Sequence, residues 1–226
     1  MHTIFPRPLK RVLGKIIPFS LYDLIPTFNL GTGTADGTTY LRGDQTWVPF
    51  SDILPTASYG LYAQTSLGTN ITNTTVETSL IGAGVGTLTV PANAFKVGDS
   101  FTVKMCGHLS CANNETVHVR LKSNGVVIGD LGVFQMKLST DKHFELVSDF
   151  TIAKIGGAGV AELFVNGQYS YNQDANTQLD GVNFAIVSNT TFNTTITNTL
   201  TITAQWGLAN INNSIQSQNF VLQKVY

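Results

Sequence analysis

Apolar and polar residues alternate along most of the chain after position 62. Phe101, Val103 and Met105 fall on one side of a two-residue repeat, with Thr102 and Lys104 on the other. Val117, Val119 and Leu121 oppose His118, Arg120 and Lys122 in the same way. Phe144, Leu146, Phe150 and Ile152 share a face, as do Leu200, Ile202, Ala204 and Trp206. A period of two marks a strand with one face on a core and the other in water. Runs of this kind at 85–90, 99–105, 116–122, 126–131, 143–152, 160–165, 182–187, 199–206 and 219–226 recur with no long 3.6-residue pattern between them. They predict an all-β sandwich or barrel. Asn124-Gly125 and Asn166-Gly167 are predicted to be two-residue hairpin turns, since both residues of that dipeptide adopt the positive φ of a type I′ turn. The first turn sets Leu121 opposite Ile128. The last run places the C-terminus in the middle of a sheet.

The first 62 residues read differently. Pro6, Pro8, Pro18 and Pro26 interrupt residues 1–28, leaving only Leu9 to Ile17 as a helix candidate. Arg7, Lys10, Arg11 and Lys15 outnumber Asp23, and no unbroken apolar stretch suits a secretory signal. Ile16, Ile17, Phe19, Leu21, Tyr22, Leu24, Ile25 and Phe28 are too much apolar surface for a solvated tail, so the segment is expected to dock onto a partner or between copies, a disordered tail being the alternative. Residues 29–62 are dense in Gly, Thr and Asp up to Trp47 and continue as a linker. A module this small cannot fill a core alone; three copies around an axis can. The expected organisation is a docking segment 1–28, a trimerising module and linker 29–62, and a β-sandwich head 63–226.

Composition narrows the function. The 226 residues carry a net charge of -1 and only 12% charged residues, so polarity comes from Thr and Asn. Such a balance argues against a nucleic-acid binder, and no apolar run is long enough to insert in a membrane. Uncharged polar strands pack copy on copy without burying unpaired charge, which favours a homotrimer. Cys106 and Cys111 are expected to be free thiols, because positions five apart on a strand face opposite ways. No nucleophile elbow, phosphate loop or metal-binding motif is present, and His108, His118 and His143 stand singly. No catalytic residue, metal or cofactor is therefore expected. Arg42-Gly43-Asp44 fits a turn, and the Asn-x-Thr/Ser sequons follow from composition. Two surface features remain: Lys104, Arg120 and Lys122 as a basic stripe for an anionic sugar, and Tyr169 and Tyr171 as rings on which a sugar stacks.

Residues 30–47, LGTGTADGTTYLRGDQTW, resemble a short segment of bacteriophage tail fibres and viral fibre proteins near the junction of shaft and head. The block from Thr87 to Tyr226 is similar to head domains of large DNA viruses of protists and their virophages. The resemblance implies a jelly-roll-like, tumour-necrosis-factor-like antiparallel sandwich assembled as a trimer. It also implies a location on the virion surface, attachment to a glycan or protein of a cell or of another virion, and a capsid or vertex protein as partner for residues 1–28. It carries over no catalytic residue. The alternatives are a minor capsid or decoration protein binding other capsid subunits, and a polysaccharide-degrading enzyme.

Overall fold

The computed structural model describes residues 9–12, 15–18, 32–34, 36–37, 39–49, 61–175, 178–188 and 191–226. They fall in two compact units, Met1–Ala57 and Ser58–Tyr226. Most of the expected docking segment lies outside the described residues.

In the first unit, β1 (Leu9–Val12) and β2 (Lys15–Pro18) pair antiparallel, with Leu9 opposite Pro18 and Val12 opposite Lys15. This replaces the helix allowed by the sequence between Leu9 and Ile17: Val12, Ile16 and Ile17 are β-branched and favour the extended backbone. A second pair, β3 (Thr39–Leu41) and β4 (Trp47–Pro49), is closed by a turn in which the Gln45 amide donates to the Arg42 carbonyl at 2.9 Å. Arg42 and Asp44 form an ion pair of 2.5 Å, and the other Asp44 oxygen accepts from the Thr46 amide at 3.1 Å. The Arg-Gly-Asp triplet thus closes on itself as a turn.

Among the described residues the second unit holds fourteen strands, namely β5 (Leu61–Gln64), β6 (Ile71–Thr72), β7 (Thr78–Ser79), β8 (Gly84–Thr87), β9 (Thr89–Val90), β10 (Ser100–Cys111), β11 (Thr116–Ser123), β12 (Val126–Asp130), β13 (Phe134–Gln135), β14 (Ser139–Lys154), β15 (Glu162–Asn172), β16 (Leu179–Ser188), β17 (Asn198–Trp206) and β18 (Ser214–Lys224). An eight-stranded antiparallel sheet runs β16-β15-β14-β10-β18-β5-β8, with β6 also on β18. A six-stranded sheet runs β12-β11-β17-β7, with β13 on β11 and β9 on β17. The chain crosses between the sheets from β10 to β11, from β13 to β14, from β16 to β17 and back to β18. The result is a jelly-roll-like sandwich in which the last strand lies between β10 and β5.

The inward residues are those marked by the alternation. Phe101, Val103, Met105, Val117, Val119, Leu121, Phe144, Leu146, Leu200, Ile202, Ala204 and Trp206 all join one buried cluster. Each large apolar side chain removed from water stabilises the fold by roughly 1.5–3 kcal/mol. Phe101 and Phe150 stack at 4.9 Å, with Phe95 edge-on to Phe101 at 6.0 Å. Between the sheets lies an apolar void of about 20 Å³, bordered by Phe101, Ile128, Phe150 and Leu200. Both cysteines are free.

The two predicted turns fare differently. Asn124 (φ 47°) and Gly125 (φ 81°) do form the turn between β11 and β12. A bulge after Leu121 then shifts the register, so Leu121 faces Gly129 rather than Ile128. Asn166-Gly167 is no turn: β15 runs straight through it, with Asn166 opposite Asp149 and Gly167 opposite Ser148. A Cβ at Gly167 would stand 2.2 Å from the Phe184 ring. The glycine is there to admit that ring.

Candidate functional site

The five residues singled out from the sequence do not form one site. Tyr169 and Tyr171 are fully buried, with rings 6.4 Å apart beside Phe134 and Phe144. The Tyr171 hydroxyl accepts from the Lys137 amide at 2.8 Å and donates to Asp180 at 3.3 Å. Burial pushes Tyr171 up to about 12 and raises Tyr169 well above the usual phenol value. Neither ring is a stacking platform for a sugar. Because β15 is continuous, Tyr169 and Tyr171 keep the parity of Leu163 and Val165 and point inward.

The basic stripe is also divided. Lys104 lies on the outer face of the eight-stranded sheet, 3.1 Å from Glu145. Arg120 and Lys122 lie on the outer face of the six-stranded sheet. Consecutive strands β10 and β11 belong to opposite sheets, so their outer faces look away from each other.

Around Arg120 and Lys122 the structure builds a charge network that sequence spacing does not show. Glu77, just before β7, has one oxygen 2.5 Å from Lys122 and 3.2 Å from Arg120, and the same oxygen accepts from Thr203 at 2.5 Å. Arg120 donates to Gln205 at 3.1 Å and to His118 Nδ1 at 2.5 Å. Since a guanidinium only donates, His118 carries its proton on Nε2, which donates to Asp130. Gln205 in turn donates to the Thr75 carbonyl at 3.0 Å. Arg120 and Lys122 each meet a carboxylate, so neither offers an unpaired positive charge to an anionic sugar. Beside the network a cleft of about 230 Å³ is bordered by Thr75, Thr116, His118, Val133, Gln205 and Gly207.

Burial pushes the Glu77 carboxyl up, but hydrogen bonds from Lys122 and Thr203 and the charges of Arg120 and Lys122 outweigh it and bring it from 4.5 down to about 2. A folded value below the unfolded one stabilises the fold above pH 4.5, and that contribution is lost as pH falls from there towards 2. With 27% of the side chain exposed, screening leaves about 2 kcal/mol. Urea unfolding of the native chain and of Glu77→Gln at pH 7 and at pH 3 measures this: the native chain is expected to lose more stability on acidification than the variant. Equal losses would remove Glu77 from the account.

The outer face of the eight-stranded sheet divides along its width. At the β8-β5-β18 end, Val85, Ala63 and Val221 stand in cross-strand register, with Leu61 on the same face two residues before Ala63, around a shallow depression of about 310 Å³. Leu61 and Val85 are 43% and 63% exposed, and Val225 and Tyr226 just beyond β18 are 67% and 82% exposed. At the β15-β16 end the outward side chains include Gln168, Ser170 and Asn183, with Asn166, Ala185 and the exposed Phe164 farther along the pair. None of these residues was marked as a site by sequence; Ala63, Val85 and Val221 sit in short runs where strand parity is hard to assign.

No family model matches the chain, and no curated protein matches it. Among solved structures the chain is similar to the CBM2 module of the evolved Dit of Lactobacillus casei BL23 phage J-1. Identity is 14% and the TM-score 0.26, over 59% of this chain and 66% of that one. That likeness carries no argument here, so function rests on the residues themselves.

Proposed function

We propose that the chain is a virion-surface attachment protein: a homotrimer whose Ser58–Tyr226 sandwich is the head, carried on particles of the kind its fibre-like segment resembles. Residues 1–28 dock onto a capsid or vertex protein. The head contacts a surface glycan of a cell or of a second virion.

One observation carries this reading. The eight-stranded sheet groups Leu61, Ala63, Val85 and Val221 at its β8-β5-β18 end, whereas at its β15-β16 end Gln168, Ser170 and Asn183 border a cleft that no basic residue lines, with Phe164 exposed farther along β15. Exposed valine and leucine side chains grouped on one sheet end are the surface that a second copy covers. A closed threefold ring of such contacts would leave the β15-β16 end of every copy facing outward. Three weak sites on one rigid head then add their affinities through avidity, without a deep pocket.

Particles from cells producing the chain, labelled with antibody to the head and viewed by electron microscopy, test the reading. Label on intact particles is expected. Chain abundant in the lysate but missing from washed particles would contradict it. Deletion of residues 1–28 is expected to keep the head folded and to remove the label.

A further inference from the structure

Resting on that attachment reading, we infer that the β15-β16 end of the eight-stranded sheet is a binding site for an uncharged, hydroxyl-rich ligand, a neutral carbohydrate. A cleft of about 230 Å³ there is bordered by Gln168, Ser170, Leu179, Asp180, Gly181 and Asn183. Gln168 faces Asn183 across the pair, and Ser170 faces Gly181. All four point away from the core, because Tyr169 and Val182 between them point inward.

Backbone packing shapes the cleft, and its outward polar side chains give it its chemistry. Gly181 lets β16 lie close against β15, since a Cβ there would stand 2.2 Å from the Tyr169 carbonyl oxygen. Asp180 is held in place: one oxygen accepts from Gln173 at 2.8 Å and from the Tyr171 hydroxyl at 3.3 Å, the other from the Gly181 amide at 2.8 Å. Its carboxylate shares the side of Tyr171 and Val182, so it fixes the start of β16 from beneath while the side chains open to a ligand are those of Gln168, Ser170 and Asn183. Gln168, Ser170 and Asn183 add carboxamide and hydroxyl groups that both donate and accept, the pattern a vicinal diol requires.

The charge count selects among ligands. No basic residue borders the cleft, so an anion gains nothing there. One carboxylate among neutral groups falls short of the six to eight oxygens, several of them charged, that calcium takes. Leu179, 66% exposed at the rim, offers an apolar contact for the C–H face of a sugar ring.

The test uses the full chain on an array of neutral and sialylated glycans, alongside the double variant Gln168→Ala, Asn183→Ala. Both positions are exposed, so circular dichroism is expected to be unchanged. The native chain should be retained on neutral glycans, with the double variant's apparent affinity reduced at least tenfold. Retention on sialylated glycans alone, retention on none, or equal binding by the variant would each overturn the site. Adsorption of native chain and variant to host cells separates the two proposals: equal adsorption refutes this site and leaves attachment standing. Glycan binding without adsorption to cells refutes attachment and leaves the site.

Discussion

Replacing Trp206 by alanine is expected to cost about 4 kcal/mol, the effect of emptying a large aromatic site in a packed interior. Trp206 is 1% exposed on β17, and its indole N–H donates to the Ile71 carbonyl at 3.1 Å. The side chain therefore ties the six-stranded sheet to β6, which pairs with β18 of the other sheet. Its loss leaves a cavity and an unmatched carbonyl together. For a domain of this size the melting temperature should fall by about 10 °C, readable by circular dichroism. Trp206→Phe, which refills most of the volume, should recover more than half of the loss. A fall of under 2 °C for the alanine variant would mean that the indole does not join the two layers.

Placing an aspartate at Leu61 or Val85 is expected to convert the assembled head to single chains. Each position is open to water in one chain, so the charge is tolerated there. Covered by a second copy, the same carboxylate loses its hydration without a partner, at a cost of several kcal/mol repeated at every contact of the ring. The variants should sediment as monomers with unchanged circular dichroism. Val133→Asp, at a 71% exposed position just before β13, is the control and should stay assembled. Assembly that survives Val85→Asp and Leu61→Asp would move the interface elsewhere.

The long strands were legible because their inward positions repeat without interruption. Val117, Val119 and Leu121 needed nothing beyond the two-residue period, and Asn124-Gly125 carried its own turn chemistry. Asn166-Gly167 has the same local chemistry but lies inside an eleven-residue strand, where pairing with β14 and β16 on both sides outweighs the preference for a turn. Reading a turn there breaks the parity that runs from Leu163 to Tyr171, and with it the evidence that both tyrosines are buried. The signal was present in Leu163, Val165, Tyr169 and Tyr171, spaced by even steps.

The charge network was less accessible. His118, Arg120 and Lys122 were correctly expected to point outward, but Glu77 lies more than forty residues upstream and reaches them only because β7 pairs with β17. Lys104 shares the positive charge and outward parity of Arg120 yet sits on the other sheet, a distinction that depends on which strands cross over. The polar cleft owes its shape to the cross-strand neighbours of β15 and β16. No short stretch of sequence contains both.

The central claim is that copies of this chain assemble through the apolar end of the eight-stranded sheet, and the mass of the purified full chain in solution tests it most directly. Light scattering should return three times the 24.4 kDa of one chain, held over a tenfold dilution. A stable mass of 24.4 kDa would contradict the account.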